Sequence, residues 1–140
     1  MRLALVIAGV LLLAGCGGGQ DGVSHEGLVG ALRGEGIDPQ SPQPEPPGVL
    51  EVRSTVYAMP GGELHVFTFE NEREARTAQA RIEPDGNTIQ TTSGINQVVD
   101  WSGQPHWFRN GREIAVYIGS SSEVLDALEQ AAGPQFAGAG

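Results

Sequence analysis

The segment PHWFRNGREIAVYIG, residues 105–119, decides the fold of this chain. Two runs rich in aromatic and β-branched residues flank Asn110-Gly111, and both residues of this dipeptide tolerate the positive φ that a two-residue type I′ turn requires. The pattern therefore predicts a β-hairpin that turns at these two residues. The cross-strand pairs that follow from such a turn are Phe108 with Glu113, Trp107 with Ile114 and His106 with Ala115.

The two faces of this hairpin are predicted to differ, because side chains alternate along a strand. Trp107 is expected on the core face. The aliphatic residues expected beside it are Ile114, Val116 and Ile118. Core packing of the aromatic side chains of this hairpin is the favoured prediction, because they lie on predicted strands. If some rings remain exposed, they form a candidate ligand or partner surface on the face opposite Trp107: His106, Phe108 and Tyr117.

A second pair of strands is predicted between residues 49 and 69. Polar and apolar residues alternate along residues 49–58, and Pro60-Gly61 lies in the turn that follows. The side chains predicted to share the inner face of this strand are Leu50, Val52, Val56 and Ala58. Residues 64–69 return as a strand with apolar residues on both faces, so this strand is predicted to be central in the sheet. Two short strands are predicted at 88–92 and 97–101.

Three helices are predicted from capping residues and apolar stripes. The first covers residues 24–33 and ends at Gly34, the second ends before Pro84, and the third ends at Gly133-Pro134. Their predicted N-caps are Ser24, Asn71 and Ser120, the last two with a glutamate three positions later.

Residues 38–48 contain five prolines and are predicted to form an extended connector over the surface. A proline-rich ligand for an aromatic groove is the alternative for this segment. The resulting order of elements, α-β-β-α-β-β-α, predicts an α+β fold in which helices pack on a small, mainly antiparallel sheet.

The amino terminus carries an export signal. Arg2 precedes an apolar run from Leu3 to Leu13 that is too short to cross a bilayer as a helix, and the run ends in Leu13-Ala14-Gly15-Cys16. This LAGC tetrapeptide resembles the lipobox of bacterial lipoproteins. The resemblance implies that residues 1–15 are a signal peptide that is removed, and that Cys16 is lipidated and anchors the chain to a membrane. Residues 16–22 are then a glycine-rich tether, and residues 23–140 form a single domain.

Charge and cysteine content limit the functions that this chain can have. The chain carries 17 acidic residues against eight arginines, a formal net charge of −9, which argues against nucleic acid as a partner. Cys16 is the only cysteine, so no internal disulfide can form, and lipidation removes its thiol from consideration as a nucleophile.

No residue pattern indicates catalysis, a metal or another cofactor. The three histidines, at positions 25, 65 and 106, have only isolated carboxylates within four positions, so we expect no metal site. Asp100, Ser102 and His106 bring the residue types of a catalytic triad within seven positions, but no strand-to-helix turn presents the serine, and we expect a solvated loop. We therefore expect no catalytic residues and no cofactor.

The domain also resembles a group of small, uncharacterised bacterial lipoproteins. PHWF at 105–108, GREIAVYIG at 111–119 and VLDALEQAAGPQFAG at 124–138 are similar to the pattern PHFY, GxxIVLYVG and VLxxLxxxxGxQFAG of that group. Trp107 departs from the aromatic of that pattern, and the proline-rich connector is unusual. The resemblance implies a fold, and no catalytic residues are carried over with it.

Together these patterns predict an envelope lipoprotein with a non-catalytic binding domain. Its expected location is the outer leaflet of the cell membrane, or the outer membrane or periplasm of an organism with two membranes. The expected partners are the membrane, through the lipid on Cys16, and an envelope protein or a small ligand. An envelope enzyme of hydrolase type, or an inhibitor or assembly helper of another envelope protein, is the alternative.

Overall fold

The computed structural model describes residues 27–140, so the signal segment, Cys16, the tether and Ser24 lie outside the described residues. Three helices and eight strands follow one another along this described part of the chain. Their bounds are α1 Gly27–Gly34, β1 Gln40–Glu45, β2 Ser54–Met59, β3 Gly62–Thr68, α2 Glu72–Gln79, β4 Thr88–Gln90, β5 Asn96–Val98, β6 Pro105–Asn110, β7 Glu113–Gly119, α3 Ser122–Ala132 and β8 Ala137–Gly138.

Six of these strands form one antiparallel sheet in the order β1-β2-β3-β7-β6-β8. β4 and β5 form a separate two-stranded sheet, and an isolated antiparallel bridge joins Ile89 of β4 to Ile82. Helices packed on an antiparallel sheet confirm the predicted α+β class. β3 lies between β2 and β7, so the prediction of a central strand at residues 64–69 is also confirmed.

Apolar residues cover both faces of the large sheet. On one face α1 and α3 pack on the strands in what we call the α1/α3 cluster, whose largest members include Leu28, Leu64, Phe108, Tyr117 and Leu128. On the other face α2 and β4 pack in what we call the α2 cluster, whose members include Leu50, Phe67, Ile89, Trp107, Ile114 and Val116. The sheet is therefore the middle of three layers.

Burial of both faces corrects one prediction and confirms another. Trp107 is fully buried, as predicted for the core face. Phe108 and Tyr117 are only 1% and 0% exposed and His106 is 5% exposed, so the favoured prediction of core packing is confirmed and the candidate surface at these three residues is not exposed. Strand alternation tells which side chains share a face, but it does not tell whether a second layer of helices covers that face.

The β6–β7 hairpin forms, but its turn lies one residue later than predicted. Asn110 pairs directly with Glu113, so the loop consists of Gly111 and Arg112. Only the first of these has positive φ, 60° at Gly111, which is the pattern of a type II′ turn, and the predicted type I′ turn is wrong. Trp107 consequently pairs with Val116. The register moves by two residues, which keeps every side chain on its predicted face.

The proline-rich segment 38–48 is predicted to be a connector, but six of its residues form β1, the edge strand of the sheet. All six are exposed. Prolines at positions 42 and 44 are compatible with an edge strand, because such a strand needs N–H donors on one side only. Ser41 has φ of 50° at the point where the pairing with β2 shifts register, so a β-bulge interrupts this edge.

The inner face predicted for residues 49–58 is right in part. Leu50 is buried in the α2 cluster and Val52 packs against the same cluster, as predicted, but both lie in irregular backbone that precedes β2. Within β2, Tyr57 packs on the α1/α3 cluster and Ala58 is exposed. The irregular backbone at Glu51, which has φ of 61°, interrupts the continuous strand that the predicted alternation of side-chain directions requires.

Capping side chains begin two of the helices. Asn71 Oδ1 accepts the N–H of Glu74 at 2.9 Å, which confirms the predicted N-cap of α2. At α3 the N-cap is Ser121, whose Oγ accepts the N–H of Val124 at 3.4 Å, so the prediction of Ser120 is wrong by one residue. Gly133, with φ of 83°, ends α3 as predicted.

A single backbone carbonyl joins both tryptophans. Trp101 Nε1 and Trp107 Nε1 donate to the carbonyl oxygen of Gly86 at 3.1 Å and 2.9 Å. Gly86 has φ of 73°, and a Cβ there would lie 2.7 Å from Cα of Gly138 in β8. Only glycine therefore fits this position. Because both indoles donate to its carbonyl oxygen, the two rings are held close together, with centroids 5.9 Å apart.

Two carboxylates hold loops around the α2 cluster through backbone donors. The N–H of Thr92, with the hydroxyl of Thr92 and the guanidinium of Arg81, holds the pKa of Glu51 below its ordinary value of 4.5. The N–H groups of Thr88 and Asn87 likewise hold the pKa of Asp85 below its ordinary value of 3.8.

We therefore expect the free energy of unfolding to fall as the pH drops below about 4.5. A lowered folded-state pKa means that the ionised carboxylates favour folding; this contribution is complete above the unfolded-state pKa and disappears as the pH falls through the folded-state value. Urea unfolding between about pH 6 and 3 measures how steeply the free energy of unfolding changes with pH in the double variant Glu51→Gln/Asp85→Asn and in the control Asp126→Asn. An equally steep change in both variants would contradict the assignment of this pH dependence to Glu51 and Asp85.

Candidate functional site

A cleft lies at the end of the sheet where β6 begins and β7 ends. Its volume is about 510 Å³, within the range of small-molecule sites, and we call it the His106 cleft. α3 forms one wall, and the segment that follows α3 forms another. Its polar lining residues are Gln104, His106, Ser120, Glu129 and Gln135, and its larger apolar ones are Phe108 and Leu125.

His106 is held rigidly in the wall of this cleft. Its Nε2–H donates to the carbonyl oxygen of Gly119 at 3.1 Å, and its Nδ1 lies 2.9 Å from Oε1 of Gln135. The amide of Gln135 is itself oriented, because its Nε2 donates to the carbonyl oxygen of Ala139 at 2.8 Å. Both ring nitrogens therefore already have a protein partner.

Tyr117 supports His106 from behind. The two rings stack with centroids 6.2 Å apart. The Tyr117 hydroxyl donates to the carbonyl oxygen of Pro60 at 2.8 Å and accepts the N–H of Ser121 at 3.3 Å. This buried phenol thus ties the β2–β3 turn to the start of α3. Of the three residues predicted as a candidate surface, His106 and Phe108 line the cleft and Tyr117 positions the imidazole without reaching the cleft.

The residue types of a catalytic triad are not assembled around His106. Ser102 lines a neighbouring cleft of about 470 Å³, which shares Gln104 and Ser120 with the His106 cleft. The hydrogen bonds of His106 go to Gln135 and Gly119, so in this geometry neither ring nitrogen serves Ser102 as a base.

The other described histidine is paired with a carboxylate. His65 Nε2 lies 2.8 Å from Oε1 of Glu63. Across residues 27–140, no group of three or more histidine, cysteine, aspartate or glutamate side chains is arranged to hold a metal ion. His25, which is predicted not to bind metal, lies outside the described residues.

A smaller cleft of about 300 Å³ lies beside α2. Its floor contains Leu50, Val52 and Phe69, and Arg81 stands at its wall. Arg81 Nη1 donates to Glu51 and to the carbonyl oxygen of Gln90, while the buried Nε has no acceptor among the described residues. This guanidinium fastens the loop around Glu51 to the β4–β5 sheet.

Sequence patterns do not single out the polar residues that surround His106. Gln104 and Ser120 lie in loops, and Glu129 is exposed on α3, where one more polar residue carries no signal. Gln135 is the exception, because it belongs to the segment GPQFAG on which the resemblance to small bacterial lipoproteins rests. That segment folds back so that Gln135 contacts His106 and β8 pairs with β6.

Comparisons with known proteins add no family to these observations: no family model, curated protein or solved structure matches the chain.

Proposed function

We propose that this chain is an exported lipoprotein, anchored through a lipid on Cys16, whose α+β domain binds a small polar ligand in the His106 cleft. The lipobox-like Leu13-Ala14-Gly15-Cys16 supports the anchor. Between residues 27 and 140, no helix is both long and apolar enough to cross a membrane.

The observation that carries the binding role is the convergence of several polar side chains over an apolar floor in one cleft. Gln104 and Ser120 are exposed at the mouth, and Phe108 and Leu125 supply apolar surface beneath them. Small-molecule sites combine apolar lining with a few placed polar groups in this way. The fixed hydrogen bonds of His106 support recognition rather than proton transfer, because its ring nitrogens already have protein partners.

Filling the cleft tests this role. We expect the full-length lipidated chain, extracted from membranes in mild detergent, to retain a small molecule that native mass spectrometry detects. Ser120→Trp places an indole at the mouth and should abolish that adduct, because the ring occupies the ligand volume. Ser122→Trp is the matched control, since Ser122 is exposed in the first turn of α3 and is not among the cleft residues.

Two outcomes would count against this proposal. An adduct that survives in Ser120→Trp would place the ligand elsewhere, and a wild-type chain that carries no small molecule would remove the reason to assign binding to the cleft. A chemical turnover that is lost in both Ser102→Ala and His106→Ala, with folding retained, would favour the enzyme alternative.

The anchor has its own test. We expect Cys16→Ser to move the protein from the membrane fraction to the soluble fraction, because the serine hydroxyl cannot receive the thioether-linked lipid. Membrane fractionation with mass analysis of the amino-terminal peptide measures both changes. Wild-type protein that is membrane-bound, unlipidated and still carries residues 1–15 would overturn the lipoprotein proposal.

A further inference from the structure

A further cleft opens on the opposite face of the sheet from α1 and α3. α2 and β4 cover only part of that face, and Ala58 near its β1–β2 side is exposed. The cleft lies there, between the loop that follows β1, the strands β2 and β3, and the ring of Trp101. Its volume is about 320 Å³, the size of a small ligand, and we call it the Trp101 cleft.

The aromatic walls of this cleft are fixed before any ligand arrives. Trp101 is half-buried, its Nε1 donates to the carbonyl oxygen of Gly86, and its ring meets that of Trp107 in a T-shaped contact. His65 meets Trp101 in a T-shaped contact, with centroids 5.7 Å apart and planes inclined by 70°. Phe67 lies in the floor. A ligand that enters therefore meets rings that need not reorganise.

The charge of this cleft is negative. Glu45, at the end of β1, is the one carboxylate that lines it, and within residues 27–140 this exposed side chain makes no hydrogen bond or ion pair. A second carboxylate, Glu63, is hydrogen-bonded to His65. No arginine lines the cleft, and the whole chain carries a formal net charge of −9. Cations are therefore attracted to this site and anions are repelled.

We propose that the Trp101 cleft binds a small organic cation, a quaternary or protonated amine, between the indole of Trp101 and the carboxylate of Glu45. The faces of aromatic rings attract cations, and indole attracts them most strongly. Ser54, which also lines the cleft, supplies a hydroxyl for a hydrogen-bonding amine. This site is independent of the proposed function, because the His106 cleft shares none of its residues with it.

Choline and its neutral carbon isostere 3,3-dimethylbutan-1-ol separate charge recognition from apolar contact. Isothermal titration of the full-length lipidated chain in an uncharged detergent should show saturable choline binding that weakens with added salt. The isostere should bind about tenfold more weakly, because it has the same shape without the charge.

Variants assign the binding to the two side chains. Glu45→Gln removes one charge at an exposed position and should weaken choline binding about fivefold, whereas Asp126→Asn removes the same charge on α3 and should leave it unchanged. Trp101→Leu should weaken choline binding about tenfold. Because that substitution touches packed rings, Glu45→Gln carries the decision if Trp101→Leu fails to fold.

The outcomes separate clearly. Glycerophosphocholine, titrated in parallel, distinguishes a lipid headgroup from a free amine. Tighter binding of choline assigns the site to free cations, and tighter binding of glycerophosphocholine assigns it to headgroups. Either result supports a cation site. An isostere that binds as well as choline, unchanged affinity in Glu45→Gln, or no saturable choline binding by the wild-type chain would overturn the proposal.

Discussion

Replacing Trp107 by alanine is expected to lower the free energy of unfolding by about 3–5 kcal/mol. The indole is fully buried, its ring stacks on Phe67 with centroids 6.1 Å apart, and its Nε1 donates to Gly86. Truncation therefore opens a cavity in the α2 cluster and removes one of the two donors from that carbonyl. Because domains of this size are stable by only about 5–15 kcal/mol, urea unfolding followed by circular dichroism should show the change clearly.

Two further variants calibrate this effect. Trp107→Phe keeps an aromatic ring and loses the hydrogen bond, so it should lose less stability than the alanine variant. Val98 is 79% exposed, and Val98→Ala should change stability by no more than about 0.5 kcal/mol. A loss below about 1 kcal/mol in Trp107→Ala would contradict the burial of the indole.

Replacing Phe108 by alanine should lower the free energy of unfolding by a similar amount, about 3–5 kcal/mol. Phe108 follows Trp107 directly and points to the other face of the sheet, where it is 1% exposed in the α1/α3 cluster. In a sheet with one covered face, only one of two consecutive aromatic residues would be buried. In this three-layer arrangement both are buried, so neither alanine substitution should be tolerated.

Phe108→Leu is the matched control, since it roughly preserves apolar volume and should cost less than about 1.5 kcal/mol. Equilibrium unfolding in urea measures all four variants at these two positions under the same conditions. A large loss in Trp107→Ala together with a loss below about 1 kcal/mol in Phe108→Ala would indicate that α1 and α3 do not cover their face of the sheet.

Local patterns predict the elements of this fold, and tertiary contacts decide what the patterns cannot. The hairpin at residues 105–119 and the N-cap at Asn71 follow from short-range chemistry, and both form. The residue at which the turn begins cannot be predicted from the sequence, because Gly111 can supply the positive φ as the second residue of Asn110-Gly111 or as the first of Gly111-Arg112. Pairing across the strands chooses the second and matches Asn110 with Glu113.

The candidate surface at His106, Phe108 and Tyr117 is buried for a reason that lies far away in the sequence. Phe108 and Tyr117 pack in one cluster with α1, about 80 residues earlier in the chain, and with α3, while His106 contacts Tyr117 and Gln135. Composition along one strand holds no information about a helix that packs on it from such a distance. The same limit hides the polar lining of the His106 cleft, which comes from loops and from the segment after α3.

Strand propensity also misses β1, because five prolines in residues 38–48 argue against a strand. Their positions decide the outcome. Among residues 27–140 no strand pairs with the side of β1 that faces away from β2, and there a missing N–H does no harm.

Anchoring through Cys16, as proposed, would hold copies of the domain in a plane, where they collide edge to edge far more often than in free solution. An open sheet edge is a template for the edge of another copy. Pro42 and Pro44 remove donors from one edge, the bulge at Ser41 bends it, and β8 at the other edge is only two residues long. Both edges of the six-stranded sheet therefore disfavour pairing with another copy, which suits a domain held at high density on a surface.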